Sequence, residues 1–205
     1  MSIFYRIIII LLSLATIYCV YGIVHFKWMY HQVENPKAEF LVRDPEQQGA
    51  TIVEFLNYGC GYCKELQPVI DEVLDMRKNL RYVARPIAFG EGPTNDLTMV
   101  VLAAGLQDRF WEFHQAFLEY PEVDIPDSFI EETADLYGVD YDRLKEDAQS
   151  EEVAKLAERN YAAMESAGLY SVPSFMINKR LYLIDENGVP DIQKMLEIVI
   201  EAQKR

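Results

Sequence analysis

Thr51-Ile52-Val53-Glu54-Phe55-Leu56-Asn57-Tyr58-Gly59-Cys60-Gly61-Tyr62-Cys63-Lys64-Glu65-Leu66-Gln67-Pro68-Val69-Ile70 is the stretch that decides the fold. Residues 51–57 are apolar on both faces, as a central strand is, apart from Glu54. From Cys60 to about Arg77 the pattern is helical, with Pro68 inside it to remove one backbone bond and kink the helix. Two cysteines two residues apart at a strand-to-helix junction read as a redox pair. The first helical turn offers free N–H groups and the positive end of the dipole. A thiolate at Cys60 is stabilised there, and Cys63, one turn on, faces the same way to close or open the bond. A zinc site needs four ligands. The chain has one other cysteine, Cys19, and its histidines, His25, His31 and His114, lack ligand spacing, so no metal is expected.

Upstream the chain changes character. Residues 7–26 are almost wholly apolar and reach about 30 Å as a helix, the thickness of a bilayer core. Tyr18, Val20 and Tyr21 are bulky where a signal peptidase needs small residues, so the flanks favour an uncleaved, lipid-embedded anchor over a cleaved signal. Cys19 is then apolar filler. Arg6 precedes the span while Lys27, Lys37 and Arg43 follow it, so positive charge does not set the orientation. A disulfide-handling site belongs in an oxidising compartment, which puts the domain in the periplasm or another extracytoplasmic space. Residues 27–49 read as a juxtamembrane connector, with Trp28, Tyr30 and His31 suited to the membrane interface and residues 39–43 as an edge strand or stalk end.

Residues 50–205 suffice for one domain with a full core. The 205-residue chain carries a net charge of −14, which excludes a phosphate-binding basic surface and argues against nucleic acid as a partner. Downstream, residues 79–89 form a second strand, and helical patterns fill about 95–168, closed by Gly168. The aromatics Phe110, Trp111, Phe113 and Phe117 recur at helical spacing and read as core. Ser171-Val172-Pro173-Ser174 leads into a short strand. Asn178-Lys179 turns it back on residues 180–184, Asn187-Gly188 ends the hairpin, and a closing helix runs from Pro190-Asp191 to about Gln203.

Taken together, these features resemble the thioredoxin superfamily and, within it, the DsbA-like thiol:disulfide oxidoreductases. The likeness rests on the strand ending before the CxxC, on Pro68 five residues past Cys63, on a helical block between the two halves, and on Val172-Pro173 before the hairpin. It covers roughly residues 38–205. The implied fold is α/β: a thioredoxin-like fold with an inserted helical subdomain, here behind an N-terminal transmembrane helix. The resemblance implies that Cys60 is the exposed nucleophile and Cys63 the resolving sulfur, with Gly61 and Tyr62 tuning the Cys60 pKa. Family members often have histidine where Tyr62 stands, so a lowered pKa short of the extreme is expected. Pro173 is expected to be cis, facing the CxxC, with the backbone of Val172 pairing with an extended substrate. Glu54, a polar misfit in an apolar strand, is implied as proton acceptor for Cys63; the alternative is a partly exposed strand residue paired with Lys64 or an arginine.

No cofactor is expected, and the expected substrates are thiol-containing exported proteins. An oxidase needs a quinone-linked membrane partner of the DsbB type. Cys-Gly-Tyr-Cys also occurs in DsbC-type isomerases, but these carry a dimerisation domain and tend to have threonine where Val172 stands, which tilts the reading toward disulfide introduction. Isomerase or reductase activity, and a membrane-tethered chaperone with incidental cysteines, stay open as alternatives.

Overall fold

The computed structural model describes residues 3–45, 49–90, 92–184 and 188–204. The first helix, α1 (Ile3–Glu34), is followed by a 3-10 turn (Glu39–Leu41) and a two-residue strand, β1 (Val42–Arg43). Then come β2 (Thr51–Leu56), α2 (Gly61–Met76) and β3 (Arg81–Pro86). Five helices follow: α3 (Pro93–Gly105), α4 (Phe110–Glu119), α5 (Asp127–Tyr137), α6 (Tyr141–Ala148) and α7 (Glu151–Ser166). The hairpin β4 (Ser174–Ile177) and β5 (Arg180–Leu183) and the helix α8 (Ile192–Gln203) close the chain.

Among the described residues the strands form one sheet in the order β1-β3-β2-β4-β5. β2 runs parallel to β3, and β4 is antiparallel to both β2 and β5. Alternation along β2 divides the core into two layers. Ile52 and Leu56 pack with α2, α3, α4 and α8 side chains, including Leu66, Val101, Phe113 and Met195. Val53 and Phe55 point the other way, against Ala163 and Met164 of α7, Ala167 at its end, and Tyr30 and Val33 of α1. This is the thioredoxin-like arrangement expected from the CxxC strand and the late hairpin.

The turns follow local chemistry. Asn178 and Lys179 both have positive φ, 46° and 67°, the two-residue turn whose twist matches the hairpin. Gly168, at φ 75°, ends α7 in the left-handed conformation open to a residue without Cβ. Asp191 caps α8 by accepting from the Lys194 N–H. Asn187, expected to end the hairpin, lies outside the described residues. Phe110, Phe113 and Phe117 are buried in the first layer, so that stripe is core.

The first part of the juxtamembrane connector is helical: α1 continues unbroken through residues 27–34, and its last turns pack on the sheet. Tyr30 is 8% exposed and Val33 is fully buried, in the second layer rather than in a membrane interface. Arg85, 2% exposed, donates to the Val33 carbonyl from Nε (3.2 Å) and Nη2 (2.8 Å), and to the Gln32 carbonyl (2.5 Å). Arg81 donates to the Glu34 carbonyl at 2.6 Å. The last carbonyls of a helix lack intrahelical partners and carry its negative end, so two guanidinium groups from β3 satisfy both needs. Asn160 holds Arg85 in place, accepting from its Nη1 at 3.0 Å while donating to the Pro86 carbonyl. Residues 39–43, read as strand or stalk end, are the 3-10 turn followed by an edge strand paired with β3.

Candidate active site

Leu56 ends β2, and Asn57 makes the turn that presents the cysteines. Its side-chain oxygen accepts from the Gly59 N–H (2.8 Å), its amide donates to the Ile87 carbonyl (2.7 Å), and its own carbonyl accepts from the Cys60 N–H (3.0 Å). Asn57 is thus an Asx turn tied to the end of the neighbouring strand. Cys60 is the N-cap of α2, with extended backbone (φ −99°, ψ 115°), and its side chain makes no capping bond to the helix. The sulfur is left half-buried at the positive end of the helix.

Cys63, one turn into α2, is completely buried. The two sulfurs are reduced in this structure, and their environments pull them apart. The Cys63 thiol donates a hydrogen bond that holds the Cys60 thiolate, burial opposes it, and the N–H groups of Cys63 and Tyr62 add to it; Cys60 is lowered to about 6. Burial first, and then the Cys60 thiolate it serves, push the Cys63 thiol far upward. A pair split in this way keeps one sulfur charged and the other protonated at neutral pH.

The loop before β4 closes the site from the other side. The Val172–Pro173 bond is cis, as the resemblance implied. The Val172 carbonyl lies 3.7 Å from Cys60 Sγ and accepts from it when it is a thiol. Cys60, Cys63, Val172 and Pro173, separated by more than a hundred residues of chain, are therefore brought together. Tyr62 is 58% exposed, lying outside the cysteine pair rather than under it, and Gly61 has open space where a Cβ would be.

Glu54 sits beneath, fully buried on β2. Tyr82 on β3 donates to its Oε2 at 2.5 Å, while Oε1 has no hydrogen-bond partner. Burial pushes the carboxyl up to about 8; the Tyr82 hydrogen bond works against that rise, and Asp71 and Cys60 add to it. Pairing with Lys64 or an arginine is not what the structure has. Lys64 Nζ is turned away, donating to the Phe117 and Tyr120 carbonyls at 2.5 and 3.0 Å, and burial lowers its pKa to about 8. A carboxyl that stays protonated near neutrality under a buried thiol is suited to exchanging a proton with it.

Four participants escaped the sequence reading. Tyr82 resembles any strand tyrosine until its register is known. Tyr58 and His114 are both fully buried and share a 3.0 Å hydrogen bond between the phenol and Nδ1. Burial lowers His114 to about 3 and raises Tyr58, so both stay neutral. Asn57 left a usable signal: an asparagine two residues before a glycine at a strand end marks a turn.

Comparison with known proteins agrees with this geometry. A family model described as a DSBA-like thioredoxin domain matches residues 51–197. The thiol-disulfide exchange protein alpha-DsbA2 of Wolbachia pipientis superposes with a TM-score of 0.73 at 18% identity, covering 87% of this chain and 94% of that one. The catalytic domain of Proteus mirabilis ScsC gives 0.73 at 16% identity, with 88% and 98% covered. A thioredoxin-like oxidoreductase from Silicibacter pomeroyi gives 0.67 at 22% identity, with 82% and 98% covered. By sequence the chain is 26% identical over 163 residues to a Na(+)/H(+) antiporter NhaA 3 of Salinispora tropica, 78% of this chain but 24% of that protein. It thus spans about a quarter of the length of the curated relatives it matches. The strand, CxxC helix, helical insert and cis-proline hairpin, together with the match over residues 51–197, establish that the chain belongs to the DsbA-like thioredoxin domain family.

Proposed function

We propose that the protein introduces disulfides into exported proteins through the Cys60–Cys63 pair, from a domain anchored by residues 7–26 on the extracytoplasmic side of a membrane. One observation carries this reading: a half-buried sulfur lowered to about 6 beside a buried sulfur pushed upward, with the Val172 carbonyl across from it. Stabilising the thiolate of the reduced form makes the disulfide the stronger oxidant. Membrane attachment is supported by one helix long and apolar enough to cross a bilayer, with a 28-residue stretch, Ile7–Glu34, of mean hydropathy 2.6 at its most apolar window.

In the reaction, the oxidised pair meets a client thiolate, which attacks Cys60 Sγ. The Cys60–Cys63 bond breaks, Cys63 leaves with the electron pair, and Glu54, protonated near neutral pH, supplies its proton. A second client thiolate then attacks the client sulfur of the mixed disulfide. Cys60 leaves as a thiolate held by the α2 N–H groups and the Cys63 thiol. The client has lost two electrons and the protein has gained them. In the reverse direction Glu54 as carboxylate accepts the Cys63 proton. The Val172 backbone lines the client up as an added strand, with Pro173 fixing that loop and Gly61 and Tyr62 bordering it between the two sulfurs. Turnover needs a membrane oxidant of the DsbB type to take the two electrons.

The test is transfer to a client. Oxidised full-length protein mixed with a reduced two-thiol protein should consume two client thiols per protein molecule, and Cys60→Ser should abolish transfer. Full function in Cys60→Ser favours the chaperone alternative. Recovery of a scrambled client without net thiol loss favours an isomerase.

A further inference from the structure

The end of α1 fixes the direction from which the chain arrives at its domain. Arg85 lies opposite Phe55 near the end of β2, and Arg81 lies opposite Thr51 at its start. Gln32 and Val33 accept from Arg85, and Glu34 accepts from Arg81. Followed backward from Glu34, α1 therefore moves from the starts of β2 and β3 toward their ends. The neighbouring clefts agree. Glu34 lines one with Gly49, Thr51 and Arg81, and Trp28 and Gln32 line another with Arg85 and Ala163, while Asn35 borders both. Cys60 stands at the end of β2, after Leu56 and against Val172.

We propose that the active-site pole is turned toward the bilayer, with Cys60 held near the lipid headgroups and Tyr62, Phe89 and Tyr170 seated in the interface. This rests on residues 7–26 being a membrane span. From Phe26 to Val33 is seven helical residues, about 10 Å, so the strand ends stand close to the membrane surface. Tyr62, Phe89 and Tyr170 are 58%, 39% and 71% exposed; Tyr62 stands in the first turn of α2 between the cysteines, Phe89 follows β3, and Tyr170 lies in the loop that leads to Val172. Tyrosine in particular is enriched at membrane interfaces, where its ring meets apolar and polar surroundings at once. The net charge of −14 selects neutral lipid, because an anionic leaflet repels such a domain. The clamp on the α1 carbonyls makes the pose rigid. Clients lying on or in the membrane reach Cys60 first.

Nitroxide depth measurement on the full chain in phosphatidylcholine vesicles tests this. One probe sits on Cys60 in a Cys19→Ser, Cys63→Ser background. A second sits at Lys179→Cys in the far hairpin, beside Thr51, and a third at Ile17→Cys, the last two with all native cysteines replaced by serine. The Cys60 probe should lie within about 5 Å of the phosphates, and the Lys179 probe roughly 20 Å farther out, the length of a six-residue strand. Equal depths, or Lys179 nearer the membrane, with the Ile17 probe at mid-bilayer, overturn the orientation and leave the anchor standing. An Ile17 probe outside the bilayer overturns both. A flexible Gly-Ser insertion after Lys27 should bring the Cys60 and Lys179 depths together while exchange with dithiothreitol is unchanged. Depths that stay apart count against the clamp as the cause.

Discussion

Replacing Cys63 with alanine should raise the Cys60 pKa, and replacing it with serine should not. The leading cause of the low value, about 6, is the hydrogen bond from the Cys63 thiol to the Cys60 thiolate. A hydrogen bond to a charged group contributes about 1.5–3 kcal/mol. One pKa unit corresponds to about 1.4 kcal/mol, so its loss moves the midpoint up by about one to two units, to about 7–8. The sulfur is half-buried, and solvent screening favours the lower end of that range. Serine keeps an O–H donor in the same place, and the N–H groups of Tyr62 and residue 63 stay in both variants. Ultraviolet thiolate absorbance followed against pH reads the midpoint directly. The folded pKa is depressed, so the thiolate contributes stability to the reduced fold at and above the ordinary thiol range. That contribution is lost as pH falls through about 6. Urea unfolding of the reduced protein should show the same window. A Cys63→Ala midpoint that stays near 6 refutes the reasoning, because the helix end alone would then hold the charge.

The other predictions concern the acid beneath the pair and the clamp behind it. Glu54→Gln should slow exchange about 100-fold and erase an inflection in its pH profile near 8, as stopped-flow fluorescence of the redox change would read. The same variant should be about 3 kcal/mol more stable at pH 7. Glu54 has a raised folded pKa, so its fold loses stability as pH climbs from the ordinary carboxylate range toward 8, and glutamine removes that loss. Tyr82→Phe takes away a hydrogen bond that lowers the Glu54 pKa, so the inflection should move up by about one unit. Arg85→Ala should cost about 2–4 kcal/mol by chemical denaturation, since it strands the α1 carbonyls and the Asn160 side chain in the second core layer. Loss below about 0.5 kcal/mol would mean that α1 is a loose tether.

What the sequence made legible was local. The apolar β2 run, the CxxC at a helix start, the Asn178-Lys179 turn and the period of α8 each carry their signal within a few residues, and each is where it was expected. The facing of Pro173 and Cys60 came from the family resemblance, since no local pattern links residues so far apart. The docking of α1 was not legible. Residues 27–34 mix polar and apolar side chains, two buried positions make no stripe, and the arginines that hold the helix end lie about fifty residues on. Glu54 was visible as a misfit in its strand, but its partner depends on register: Glu54 sits opposite Ala84, and Tyr82, two residues back on the same face, reaches it. Lys64 looked like a partner for that acid, and the open carbonyls at the end of α4 took it instead.

The reduction potential of the Cys60–Cys63 pair, equilibrated against glutathione, bears most directly on the whole account. A thiolate held at about 6 places the pair on the oxidising side, above about −180 mV. A value near about −270 mV, where the disulfide is the favoured form, would contradict it.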